Sequence, residues 1–122
     1  MVKVSRQQNV TVVEAEGNYP SLEVAKLEEM GRVLLGEATR ADPPLLVLDL
    51  ATTGFVGSSF IELMIRAMKR VRERGGAFAI CQVQPFCLDI LQTARLDQIF
   101  PRYATREEAI AAVTAGMAAS DV

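Results

Sequence analysis

The residues best placed to do chemistry lie in one stretch, TTGFVGSSF, from Thr52 to Phe60. It follows LLVLDL, an unbroken apolar run, and precedes IELMIRAMKRVRER, whose apolar residues recur at helical spacing. A connection that only had to turn would need one glycine at most. This one carries Gly54 and Gly57, then two adjacent hydroxyls, Ser58 and Ser59, where a helix should open. Free N–H groups and the macrodipole make a helix entrance favourable to negative charge, so hydroxyls there suit a phosphate, either bound or covalently attached.

The residues that are missing narrow the chemistry further. The 122-residue chain has no histidine, so Ser-His-Asp and Cys-His nucleophile systems have no imidazole to act as base. Its three lysines, Lys3, Lys26 and Lys69, stand away from any glycine-rich turn. Cys81 and Cys87 are not in a CxxC pattern, which disfavours a zinc site and suggests two reduced thiols packed in a core. Any enzyme built from this chain would rely on carboxylates or a borrowed cofactor. The expectation is therefore a non-enzyme with no cofactor and no metal.

Three readings of the serine turn compete. For a bound nucleotide, GFVGSS is too short for GxxxxGK[ST], lacks its lysine, and is not GxGxxG. In a purely structural reading, Ser59 caps the helix and Glu62 completes a capping box, which leaves the Ser58 hydroxyl without a partner. In the third, Ser58 carries a regulatory phosphate: a dianion tolerated by its own helix N-terminus but obstructive to any surface packed on the turn.

The elements that position this turn can be read from the rest of the chain. Half the residues are apolar, 23% are charged and the net charge is −2, as expected for one globular domain with no general attraction for nucleic acid. No apolar run approaches a membrane span, and MVKVSRQQ lacks a signal peptide's apolar core, so a cytoplasmic location is expected. VKVSR and NVTVVEAE read as paired opening strands within residues 2–16. Ser21 then caps a helix running to about Gly36, with Val24, Leu27, Met30, Leu34 and Leu35 as its apolar stripe. LLVLDL is a buried strand.

The next helix buries Phe60, Ile61, Met64, Ile65, Met68 and Val71 and ends at Gly75-Gly76. Its run RAMKRVRER reads as a solvated face, with Glu62–Arg66 and Lys69–Glu73 as i,i+4 pairs. AFAICQV is a further strand, and Pro85 opens a helix with Phe86, Ile90, Leu91 and Ala94 on one face. QIFPRY is a short edge-like strand. Thr105 and Glu108 form a capping box for a last helix that turns Ile110, Val113 and Met117 inward. The order β-β-α-β-α-β-α-β-α defines an α/β fold with a mostly parallel mixed sheet. In such sheets function gathers beyond the carboxyl ends of the strands, where the serine turn lies.

The run LLVLDLATTGFVGSSFIELMIRAMKRVRERGGAFAICQVQPFCLDILQTARLDQIFPRYATREEAI, Leu45 to Ile110, resembles the STAS domain of bacterial anti-sigma factor antagonists. That family shows a buried strand ending in L-D, a turn of the form F-[MVI]-D-S-S-G, an amphipathic helix and a G-G break. A strand, a short helix ending near L-D-x-[IL]-F, another strand and S/T-x-x-E-A then follow. The likeness is strongest over residues 45–113 and implies a single STAS-like domain over 1–122.

The resemblance implies that Ser58 is the phosphoacceptor, and that Gly57, Ser58, Ser59 and Phe60 form the partner-binding turn. The implied partner is a serine-kinase anti-sigma factor or related regulatory protein, with a phosphatase possible and no nucleic acid or membrane engaged. The departures are that the motif's aspartate is Gly57 here and its last glycine is Phe60. Rival readings are a constitutive scaffold or accessory subunit, in a stressosome or beside an ABC transporter, and a small-molecule or nucleotide-binding domain.

Overall fold

The computed structural model describes the backbone of residues 2–120 and the side chains of residues 2–116. A five-stranded sheet has the order β1-β2-β3-β4-β5, with only β1 antiparallel to its neighbour. The strands are β1 Lys3–Gln7, β2 Val10–Glu16, β3 Leu45–Thr52, β4 Ala77–Cys81 and β5 Arg102–Tyr103. The helices are α1 Val24–Arg40, α2 Ser58–Glu73, α3 Pro85–Thr93 and α4 Arg106–Ser120. The element order matches the sequence expectation.

Local chemistry explains most of these elements. Gln8 and Asn9 both take positive φ, 54° and 69°, as a two-residue hairpin turn between twisted strands requires. β3 is apolar on both sides because it is central: Leu46, Leu48 and Leu50 face one layer, Leu45 and Val47 the other. Residues of α1, α2 and α3 join the larger core cluster with the first set, and those of α4 join the second. This placement follows from β2, β3, β4 and β5 being laid down in one direction, whose right-handed crossovers put α1, α2 and α3 on one face.

Several expected boundaries and faces are corrected. α1 runs on to Arg40 rather than ending near Gly36, because Gly36 stays in helical conformation and the chain leaves only at Ala41, ahead of the prolines. Ser21 does not cap it; the N-cap is Glu23, with no side-chain bond. The last strand is two residues long, since Pro101 has no N–H for a ladder and Phe100 leaves the sheet line to fill the core.

On α3 the buried residues are Cys87 and Leu91, while Phe86 is 59% exposed, a rotation of about one residue from the expected face. The Cys87 thiol donates to the Thr53 carbonyl at 3.3 Å, which fixes that rotation. Glu62–Arg66 and Lys69–Glu73 form no ion pairs among the described residues. Ile110 and Val113 are buried as expected, and the Met117 side chain lies outside the described residues.

The glycine pair after α2 does two different jobs. Gly75 has φ +80° with open space around it, whereas a Cβ on Gly76 would lie 1.8 Å from the Pro44 carbonyl oxygen. Gly76→Ala should therefore cost about 3 kcal/mol, because backbone must move, and Gly75→Ala only about 1 kcal/mol for the left-handed conformation. Urea denaturation of both variants measures the contrast; equal losses would show that Gly76 is not a steric contact.

Candidate functional site

The serine turn lies beyond the carboxyl end of β3, stitched to the loop that follows β2. Tyr19 N–H donates to the Phe55 carbonyl at 2.9 Å, and Gly57 N–H to the Tyr19 carbonyl at 2.8 Å. Gly54 N–H adds a bond to Asn18 Oδ1 at 3.1 Å, and Tyr19 and Val56 form an isolated parallel bridge. The Tyr19 ring is fully buried, 4.6 Å from that of Phe60 between centroids, with the Lys26 ammonium 4.4 Å above it. Two loops far apart in sequence are thus joined by three hydrogen bonds and a ring contact.

That stitching decides where α2 starts. Gly57 is the N-cap, in extended conformation, and makes no side-chain cap bond. Ser58 and Ser59 are the first two helical residues, both exposed. The expected Ser59–Glu62 capping box is absent, because Ser59 is already inside the helix. The Ser21 hydroxyl stands over the entrance instead, accepting from Ser59 N–H at 3.5 Å and lying 3.5 Å from the Ser58 hydroxyl.

Of the four residues assigned to the turn, Ser58 and Ser59 present side chains to solvent and Gly57 is partly exposed. Phe60 is fully buried against Tyr19, so its side chain is core rather than contact surface. Apolar surface beside the turn comes instead from residues outside the motif. A groove of about 460 Å³ opens beside Ser58 between α2 and α3, lined by Val56, Ile61, Phe86 and Ile90. Phe86 stacks on Phe55 with ring centroids 6.2 Å apart. Sequence periodicity put Phe86 inside; only its one-residue displacement from Cys87 could have indicated otherwise.

A second cluster, on the α4 face, holds the same end of the sheet. Asp49 is 2% exposed, yet its carboxylate is fully engaged. Oδ1 accepts from Ala51 N–H at 2.9 Å, and Oδ2 from Gln82 Nε2 at 2.8 Å and Arg106 Nε at 2.9 Å. Arg106 also bonds Glu14, the residue beside Asp49 in the β2–β3 register. One guanidinium at the start of α4 therefore clamps two adjacent strands. Burial, then the nearby Asp49 carboxylate, pushes the Cys81 thiol up to about 12, and burial also raises Cys87, so both sulfurs stay protonated.

The STAS domain family profile matches residues 2–109, and the chain belongs to this family. A STAS-domain anti-sigma-factor antagonist protein from Planctomyces limnophilus is 32% identical, with 92% of this chain and 96% of that one covered and a TM-score of 0.75. An anti-sigma factor antagonist from Mycobacterium paratuberculosis is 25% identical over 93% of each chain, with a TM-score of 0.71. The Bacillus cell fate determinant SpoIIAA, in its phosphorylated form, shares the fold at 16% identity and a TM-score of 0.66, over 93% of this chain and 99% of that one. No curated protein sequence matches the chain significantly. Among the described residues no helix is long and apolar enough to cross a membrane.

Glycine at position 57, where the STAS motif has aspartate, has a steric cause. A Cβ there would lie 2.7 Å from Ser21 Oγ and 2.9 Å from Ser21 N, so the loop fills the space that a side chain would occupy. Gly57→Asp is expected to destabilise the fold by about 2 kcal/mol, read as a lower melting temperature. An unchanged melting temperature would show that the loop yields freely. For the clamp, Arg106→Met should cost about 3 kcal/mol by leaving the Asp49 carboxylate uncompensated, and adding Asp49→Leu should cost less than the two single losses summed. Denaturant titration of the four proteins in that cycle measures the coupling; strict additivity would refute the clamp.

Proposed function

We propose that the protein is a non-enzymatic regulator of the anti-sigma factor antagonist type, acting in the cytoplasm. It binds a serine-kinase anti-sigma factor or related regulatory protein through the Gly57–Ser59 turn and the groove beside it. Phosphorylation of Ser58 then ends that contact, and a phosphatase restores it. The observation that carries this reading is the position of Ser58: exposed, first in α2, and on the rim of an apolar groove.

The physical case rests on what a phosphate does at that position. The helix N-terminus favours the added negative charge, so the protein itself stays folded. A partner seated on the groove meets a hydrated dianion at its edge, and each 1.4 kcal/mol lost weakens binding about tenfold. Exposed Phe86, stacked on the half-buried Phe55, offers apolar area that the charge change interrupts. The likeness to anti-sigma factor antagonists, one of the same fold in a phosphorylated form, supports the same reading.

The test is incubation with candidate anti-sigma kinases and ATP, mapping phosphate by mass spectrometry, alongside binding of Ser58→Ala and Ser58→Asp to the same partner. The expected result is label on Ser58, wild-type binding by the alanine variant, and at least about tenfold weaker binding by the aspartate variant. A partner that binds all three proteins equally would contradict the switch and leave a constitutive accessory subunit as the better description.

A further inference from the structure

The face formed by α1 and α2 carries a feature that the Ser58 switch does not use. The two helices pack side by side on one sheet face and, as successive crossover helices, point the same way. Between them runs a second groove of about 460 Å³, floored by Leu27, Gly31, Leu35 and Leu63. At its upper end Val24 is 60% exposed and the neighbouring Leu22 is 94% exposed. Apolar side chains this open on an otherwise charged helix face leave dispersion and burial unrealised in the free chain.

The rim of this groove has an ordered charge pattern. Glu28 and Arg32 are the fifth and ninth residues of α1; Glu62 and Arg66 are the fifth and ninth of α2. The helices are parallel, so along each side of the groove an acidic residue is followed one turn on by a basic one. All four residues are exposed, and none of them forms an ion pair or a side-chain hydrogen bond among the described residues. The net rim charge is zero, so a uniformly acidic or basic partner gains at two of these residues and loses at the other two.

The surface complementary to this pattern is the pattern itself, inverted. We propose that the α1–α2 groove seats a second copy of this chain, related by a two-fold axis running across the helices. That axis places Glu28 against Arg32 and Glu62 against Arg66 of the opposing copy, with the helices antiparallel across the interface. It also brings Val24 opposite Leu35. A two-fold axis along the helices instead sets Glu28 against Glu62 and Arg32 against Arg66, so like-charge repulsion selects the first arrangement. Ser59 lines this groove as well, so self-association covers ground next to the serine turn.

The experiment is sedimentation equilibrium over a concentration series on three proteins: wild type, Glu28→Arg with Glu62→Arg, and the fourfold variant adding Arg32→Glu and Arg66→Glu. Since all four side chains are exposed, the variants should fold, and circular dichroism verifies this. The expected result is a reversible wild-type dimer, weakened at least about tenfold by the double reversal and restored by the fourfold swap, which recreates the complementary pattern. A wild type that stays monomeric at millimolar concentration overturns the proposal. So does a dimer whose affinity ignores the double reversal, or a loss that the fourfold swap fails to restore. None of these readouts depends on whether Ser58 is phosphorylated.

Discussion

Two backbone hydrogen bonds, Tyr19 N–H to the Phe55 carbonyl and Gly57 N–H to the Tyr19 carbonyl, fix the serine-turn end of this molecule. They hold the loop after β2 against the turn after β3 so closely that no Cβ fits at residue 57. From that contact the rest follows in order. Gly57 becomes the N-cap, Ser58 becomes the first helical residue and faces outward, and Phe60 turns in to meet Tyr19. A hydroxyl held on such a scaffold has a defined position relative to the groove beside it, which a regulatory group must have if its charge is to decide binding.

The opposite face of the sheet supplies the rigidity against which this arrangement works. Arg106 draws the start of α4 onto Glu14 and Asp49, and Gln82 closes the remaining lone pair of the buried carboxylate. Losing one member would leave a charge in a place where water cannot compensate it. The α4 face carries that anchoring and a smaller groove of about 270 Å³ beside Phe78, Pro101, Tyr103 and Val113. The α1, α2 and α3 face keeps two open grooves, one on each side of the Ser58–Ser59 doorstep.

The order of elements, the buried nature of β3, and the position of the serine turn were all legible in the sequence, because each depends on hydrophobic period and on glycine or proline punctuation. The two capping boxes show where such legibility stops. Thr105 and Glu108 form the N-cap half of theirs: Thr105 Oγ1 accepts from Glu108 N–H at 3.1 Å, and the Thr105 hydroxyl, rather than its N–H, donates to Glu108 Oε1 at 3.1 Å. Ser59 and Glu62 have the same spacing but form no such cap, because the distant Tyr19 loop sets the helix start two residues earlier. Phe86 differs from its expected face for a related reason: in a nine-residue helix, burial of Cys87 and Leu91 in the core outweighs the weak periodicity. The Asp49–Arg106 clamp joins residues 57 apart in sequence and left no local trace.

The central claim is that a regulatory partner reads the entrance of α2 and that the phosphate state of Ser58 governs what it reads. Hydrogen–deuterium exchange of the protein bound to its regulatory partner tests this most directly. The account predicts slowed exchange over residues 54–61 and at the start of α3, absent when Ser58 carries phosphate. Protection confined to β5 and α4, with residues 54–61 exchanging as in the free protein, would contradict it.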